Sequence, residues 1–214
     1  MRDCVILVAD LGMIAAFRGF FLREQFHLTL GTGEFNFDID QDLKCDNQGN
    51  DPGVYTRAHE LLRPLKNEYR KAIIVLDEAW DGSPGAEKIY NDILQNMMAA
   101  DWDREDFEVI VIVPELENWM WQANDNPNIK QAFRFDKHMS LKQWLHEAGK
   151  WDPELPKPED PKAAFEHVLY NSKAKTPSAV FNTICSNVSV RGCVDESFIA
   201  FQSALQKWYP MDYS

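Results

Sequence analysis

Acidic side chains stand directly after three apolar segments of the sequence: Asp10, Asp77, and Glu115 with Glu117. Asp81 follows Asp77 by four residues, in the next loop. If the three segments are parallel strands of one sheet, their carboxyl ends share one edge and the acids converge there. Crowded carboxylates repel one another, and their oxygens suit Mg²⁺ or Mn²⁺, which would bridge to a substrate phosphate. The spacing predicts a metal or phosphate site formed by Asp10, Asp77, Asp81 and Glu117.

These acids also have ordinary structural interpretations. Asp10 suits the N-cap of a following helix, and Asp77 precedes a Gly/Pro loop in which Asp favours turns. Whether Glu115 or Glu117 faces the site stays open at this point. In an extended strand both would point the same way, whereas a helix starting at Pro114 would separate them by about 200°.

Strands and helices alternate over the first 113 residues and must position these acids. Continuous apolar runs predict buried strands, at 4–9, 72–76 and 108–113. Phe35, Phe37 and Ile39 alternate with polar residues, which predicts a half-buried strand over 34–40. Helices are expected between the strands, at 11–26, 54–68 and 86–100. This order predicts an α/β fold with a mainly parallel sheet, flanked by helices and joined by right-handed crossovers.

Beyond residue 114 the pattern is helical only, with helices expected near 140–148, 161–170, 177–186 and 195–208. Several prolines among charged residues indicate an extended connector. We therefore expect three parts: an α/β core with a helical extension (1–149), a Pro-rich connector (150–161) and a helical C-terminal section packed on the core (162–214). Trp119 is predicted to be a core residue.

Composition narrows the class of function. The chain of 214 residues has 34 Asp and Glu against 22 Lys and Arg, a net charge of -12. This balance argues against a protein that coats nucleic acid by bulk charge, although not against an enzyme that meets nucleic acid through metal ions on its carboxylates. Four scattered cysteines without a C-x-x-C pair favour neither disulfides nor metal thiolates. No stretch approaches the ~18 apolar residues of a membrane span, so we expect a reduced, cytoplasmic protein without membrane contact.

Three short segments carry a more specific signal, together with the strand-then-acid start at Asp10. They are Val75-Leu76-Asp77-Glu78-Ala79-Trp80-Asp81, Ile112-Val113-Pro114-Glu115-Leu116-Glu117-Asn118-Trp119-Met120-Trp121 and Asp160-Pro161-Lys162. They resemble a TOPRIM-related family of unknown function found in bacterial antiphage defence islands. Its members carry a Pro-Glu-hydrophobic-Glu-x-Trp motif after a core strand and an Asp-Pro-Lys at a later helix start. The resemblance extends over about residues 3–205.

The resemblance implies a TOPRIM-like (Rossmannoid) core that holds Mg²⁺ for phosphodiester chemistry. Asp10 takes the place of the family's first-strand Glu, Asp77 and Asp81 match its acidic loop, and Glu117 matches the Glu before its Trp. Lys162, at a helix start where the helix dipole disfavours a cation, predicts a specific carboxylate or phosphate partner. It would neutralise charge on the scissile phosphate.

Two departures from the family pattern bear on activity. The family's Glu-Gly-x-Thr-Glu is here Asp10-Leu11-Gly12-Met13-Ile14, and the Asp-x-Asp of TOPRIM enzymes is replaced by Asp77-x-x-x-Asp81. Two hypotheses therefore stand. The first is a TOPRIM-like, metal-dependent nuclease or phosphodiesterase component of a bacterial antiphage defence system, which meets nucleic acid through its metal site. The alternative is a catalytically silent TOPRIM-like subunit that binds other defence-system proteins in a complex.

Overall fold

A sheet of four parallel strands lies at the centre of the computed structural model, which describes residues 1–46, 49–122, 126–191 and 193–211. The strands are β1 (Arg2–Val8), β2 (Leu43–Cys45), β3 (Tyr69–Asp77) and β4 (Phe107–Ile112), and their order across the sheet is β2-β1-β3-β4. The central strands β1 and β3 are covered on both faces, which explains why their sequences are continuously apolar. The predicted α/β class with a parallel sheet is confirmed.

Helices account for most of the remaining chain. They are α1 (Leu11–Phe21), α2 (Phe26–Leu30), α3 (Ile39–Asp42), α4 (Asp51–Leu62), α5 (Ala86–Ala99), α6 (Glu117–Met120), α7 (Pro127–Ala132), α8 (Leu141–Glu147), α9 (Pro161–Tyr170), α10 (Pro177–Asn187) and α11 (Glu196–Trp208). Side-chain caps begin several of them, as the sequence predicted for Asp10 and Ser140, whose oxygens accept from the backbone N–H of Met13 and Gln143. None of the described helices is long and apolar enough to cross a membrane.

The order of the strands reverses between β1 and β3. The chain leaves β1 through α1 to reach β2 at one edge, then returns past β1 through α4 to β3. Right-handed crossovers put helices that run in these two directions on opposite faces of the sheet. Accordingly, α4 packs with α5, whereas α1 packs with α10 and contacts α11 through the rings of Phe17 and Phe201.

The strand predicted over 34–40 is wrong. Residues 32–38 form neither helix nor strand, α3 begins at Ile39, and the strand of this region is β2, whose Leu43 pairs with Ile6 of β1. Local capping overrides the alternation, because the Asp38 carboxylate accepts from the Asp40 backbone N–H at 3.0 Å and starts a helix. The apolar side chains Phe35 and Ile39 are nevertheless buried, as their alternation indicated.

Candidate carboxylate site at the sheet edge

Every strand of the sheet is followed or ended by an acid at its carboxyl end: Asp10 after β1, Asp46 after β2, Asp77 as the last residue of β3, and Glu115 and Glu117 after β4. The gap between β1 and β3 is the topological switch point, where open α/β sheets bind ligands. Asp10 and Asp77 stand on either side of that gap. The charges of Asp10 and Glu117 raise the pKa of Asp77, and that of Asp10 raises the pKa of Glu117, so these three side chains lie close enough to interact.

Asp77 is the most strongly perturbed acid of this group. Burial raises its pKa well above the usual 3.8, and the charges of Asp51, Asp10 and Glu117 raise it further, against one stabilising hydrogen bond from the Leu116 backbone. Within the described residues, its buried Oδ1 has no hydrogen-bond partner. A buried carboxylate oxygen without a donor favours either a proton or a bound cation. Asp77 therefore has the capacity to take up one of the two.

Asp51 is a member of the cluster that sequence reasoning missed. It is the first residue of α4, behind the capping residue Asn50, and its Oδ1 accepts from the Asp77 backbone N–H at 2.8 Å. Burial raises the pKa of Asp51, and the charges of Asp10 and Glu115 add to the effect. The signal was Asn50-Asp51-Pro52, a helix-start pattern. We predicted the helix from residue 54, which left Asp51 in the preceding loop.

Glu115 and Glu117 both belong to the cluster, which answers the question that the sequence left open. Glu117 is the first residue of α6, and burial raises its pKa from 4.5 to about 7, helped by the charges of Glu115 and Asp10 and opposed by that of Lys162. Glu115 is buried and accepts from Lys162 Nζ at 2.8 Å. Near neutral pH, Glu117 is therefore a mixture of its protonated and ionised forms, whereas Glu115 is paired with the Lys162 ammonium.

The Asp160-Pro161-Lys162 segment starts α9 and brings Lys162 into contact with Glu115. Asp160 caps α9 by accepting from the Ala163 backbone N–H at 2.8 Å, and Pro161 occupies the first helical turn, where its missing N–H costs nothing. The carbonyl of Pro161 accepts from Trp121 Nε1 at 3.0 Å. The helix start is thereby fixed where Lys162 reaches Glu115. The specific partner expected for Lys162 is a carboxylate.

Asp81 is not brought to the others. Its side chain is exposed, and no described contact joins it to the cluster. The loop after β3 turns toward β4 instead, because the backbone N–H groups of Glu78 and Ala79 donate to the Pro114 carbonyl at 3.1 and 2.9 Å.

Trp119 packs as predicted for a core residue. Its ring contacts those of Phe17, Phe198 and Phe201, and its Nε1–H donates to Ser197 Oγ at 2.8 Å. Its polar edge is thus satisfied inside the protein, and its apolar faces join α1 to α11. Trp119 therefore anchors the helix α6 that begins with Glu117, instead of offering a ring for stacking.

The potential metal ligands at the edge are all carboxylates, which a hard cation prefers. Several are already engaged: Asp10 Oδ1 accepts from Met13 N at 2.8 Å, and Glu115 from Lys162. Among the described residues, no three His, Cys, Asp or Glu side chains are arranged to hold a metal ion. Three acids of the cluster, Asp51, Asp77 and Glu117, have a raised pKa, and the buried Oδ1 of Asp77 has no hydrogen-bond partner among the described residues. Comparisons of the chain with protein-family models, curated proteins and solved structures find no match.

Proposed function

We propose that this chain is a divalent-cation-dependent phosphodiesterase with a TOPRIM-like core, working as a nuclease component of a bacterial antiphage defence system. The observation that carries the proposal is the unpaired, buried Oδ1 of Asp77 beside four other acids at the switch point. Desolvated carboxylates of like charge are costly, and a Mg²⁺ or Mn²⁺ ion would offset that cost. Asp10, Asp77 and Glu117 would hold the ion; Asp51 replaces the exposed Asp81 in this set.

When bound, the ion would polarise a substrate phosphate and lower the pKa of an attacking water. The chain's own residues have separate roles. Glu117, with a pKa of about 7 before the ion binds, must lose its proton to hold the ion, so ion binding should strengthen as the pH rises through 7. Lys162 is half exposed above Glu115, so its ammonium is accessible to an anionic substrate that approaches the edge. Its position supports a role in orienting a phosphate of DNA or RNA.

A second candidate function is favoured by a different observation. The cluster is internally satisfied to a large degree, because Lys162 neutralises Glu115 and the raised pKa values let Asp77 and Glu117 carry protons. A TOPRIM-like subunit that keeps these acids protonated needs no ion and works by binding other defence-system proteins. The two functions differ in whether a cation binds at Asp77.

Isothermal titration of Mn²⁺ and Mg²⁺ at about pH 8, above the pKa of Glu117, distinguishes them. We expect binding to the wild-type protein, none to Asp77→Asn, and unchanged binding to Asp81→Asn. Asp81→Asn is the matched control, because it removes one carboxylate from the same loop outside the cluster. Cleavage of single- and double-stranded DNA and RNA would then be assayed with the same three proteins.

The outcomes separate the candidates. Binding lost only in Asp77→Asn, with cleavage lost in parallel, supports the phosphodiesterase. The wild-type protein binding neither ion at millimolar concentration overturns the phosphodiesterase and favours the silent subunit. Equal loss in Asp77→Asn and Asp81→Asn would place the ion in the loop, away from the switch point.

A further inference from the structure

The outer edge of the sheet forms a groove whose lining includes none of the acids of the carboxylate cluster. β4 is the last strand, and a cleft of about 660 Å³ runs along it between α5 and α11. The cleft is lined by Tyr90 of α5, by Val109 and Val111 of β4, and by Ala200 of α11. Val113 and Val194 stand at its rim with 50% and 60% of their surfaces exposed. Exposed apolar side chains gathered in one groove indicate a binding surface.

Alternate residues of β4 direct their backbone groups outward, into this groove. The Ile112 carbonyl accepts from the Glu78 N–H at 2.8 Å on the β3 side, so the residues on the other parity point away from β3. At the two ends of this row, the outward-facing carbonyls accept hydrogen bonds from side chains of the same chain. The Phe107 carbonyl accepts from Arg104 Nη1 at 2.8 Å, and the Val113 carbonyl from Asn118 Nδ2 at 3.0 Å.

The middle of the edge stays open. The Val109 N–H donates to Glu108 Oε1 at 3.1 Å, but the Val109 carbonyl and both the N–H and the carbonyl of Val111 have no hydrogen-bond partner in the described part of the chain. Along the edge, these groups are an acceptor, a donor and an acceptor, and the backbone of an added strand can form hydrogen bonds with all three. From Val109 to Val113 the edge extends about 13 Å, the length of a strand of about four residues.

Charge indicates the kind of chain that fits. Glu87 and Glu196 line the groove and are exposed, whereas its cation Lys157 is already bound to Asp195 at 3.0 Å. A second copy paired through its own β4 would form an isologous contact between two grooves that carry the same exposed acids, Glu87 and Glu196. The like charge of the two grooves opposes this pairing. The groove therefore favours a basic segment over a second copy.

We propose that the free edge of β4 binds an extended segment of another protein, in which apolar residues alternate with Lys or Arg. The segment adds a fifth strand to the sheet. Its backbone pairs with Val109 and Val111, its apolar side chains pack on the valines of β4, and its basic side chains meet Glu87 and Glu196. This site neither uses nor requires the carboxylate cluster, so the inference goes beyond the proposed function.

Selection from a library of random ten-residue peptides tests the proposal, followed by titration of the selected peptide. We expect alternating apolar and basic sequences, and a loss of affinity of about tenfold or more when the peptide's edge-facing amides are N-methylated, which removes donors but keeps charge. Val111→Pro should have the same effect, since an edge strand tolerates Pro where the N–H faces outward. Glu87→Lys with Glu196→Lys should also weaken binding, and Asp77→Asn should not.

A measurement on the wild-type protein makes the test independent of whether Val111→Pro folds. Bound peptide should slow hydrogen exchange at the Val111 amide. The proposal is overturned if the library yields no binder, if the N-methylated peptide binds as tightly as its parent, or if Val111 exchange is unaffected. A dimer in sedimentation that Val111→Pro dissociates would overturn it too, because the occupant would then be a second copy.

Discussion

Two sets of acids in this molecule differ in whether a cationic side chain is paired with them. Three of them are structural and each has a cationic partner: Asp42 with Arg2, Asp46 with Arg57, and Asp195 with Lys157. The acids at the carboxyl ends of β1, β3 and β4, together with Asp51, are different, since among the described residues only Glu115 of this group has a cation, Lys162. Asp51, Asp77 and Glu117 have no cationic partner in the described chain.

The pKa of Asp195 and those of Asp77 and Glu117 shift in opposite directions. Burial alone would raise the pKa of Asp195, but the Ser197 hydroxyl and Lys157 outweigh it and lower the pKa below its usual 3.8. At the edge, burial dominates and the neighbouring charges add to it, so the pKa values of Asp77 and Glu117 rise. This sequence can neutralise a buried acid, and does so elsewhere. Acids left unpaired at the carboxyl edge of the sheet therefore reduce stability, which is the cost expected of the site that we propose.

Removing a structural acid should have the largest effect. Asp195→Ala leaves Lys157 buried without its partner and takes the acceptor from Asn118, Ser197 and the Phe198 N–H. We expect a loss of about 3–5 kcal/mol in the free energy of unfolding, measured by urea titration. Asp136→Ala is the control, because its pair with Lys173 is exposed to solvent, so its removal should change the free energy of unfolding far less. A loss as small as that for Asp195→Ala would remove the distinction between the two sets.

Neutralising an edge acid should act in the opposite direction. The folded pKa of Glu117, about 7, lies above its usual 4.5, so the folded state binds more protons between these values. The contribution of Glu117 to stability is therefore most favourable below about pH 4.5 and falls as the pH rises toward 7. At about pH 8 the charge costs on the order of 2–3 kcal/mol. Glu117→Gln should recover much of that cost and flatten the pH profile.

Urea unfolding at about pH 5 and pH 8 measures the effect. Glu60→Gln, on an exposed face of α4, is the matched control and should leave both the stability and its pH dependence unchanged. If Glu117→Gln kept the wild-type pH dependence, Glu117 would not be the group that titrates in this range.

The sequence predicts the convergence of Asp10, Asp77 and Glu117 because a parallel sheet has one carboxyl edge, and continuous apolar runs reveal its strands. It also predicts Asp10 as a helix cap, a purely local property. The acid whose oxygen accepts from the Asp77 backbone N–H is Asp51. Its position depends on where a polar loop becomes a helix. Helix boundaries are the least determined part of a sequence pattern, so Asp51 was missed.

Two other errors have physical reasons of the same kind. The strand predicted over 34–40 failed because Asp38 caps a helix, and a local hydrogen bond there outweighs side-chain alternation. Asp81 was grouped with Asp77 on spacing alone. The direction of its loop is set by the Pro114 carbonyl, which binds the Glu78 and Ala79 N–H groups from another strand. Contacts between residues far apart in sequence decide both the loop path and the unpaired state of Asp77.

Lys162 pairs with one acid of the carboxylate cluster, Glu115, and its charge also acts on Glu117, which has no such pair. Removing Lys162 should have the smallest effect on stability. Lys162→Gln removes the ammonium that contacts Glu115 and the charge that lowers the pKa of Glu117. Because Lys162 is half exposed, solvent screening limits the loss to about 0.5–1 kcal/mol. The sharper signature is electrostatic: the Glu117 titration, followed by NMR, should move upward from about 7. Lys173→Gln, which breaks an exposed pair with Asp136, should leave that titration in place. A Glu117 pKa that does not move in Lys162→Gln would mean that Lys162 serves Glu115 alone and that the edge acids do not titrate as one cluster.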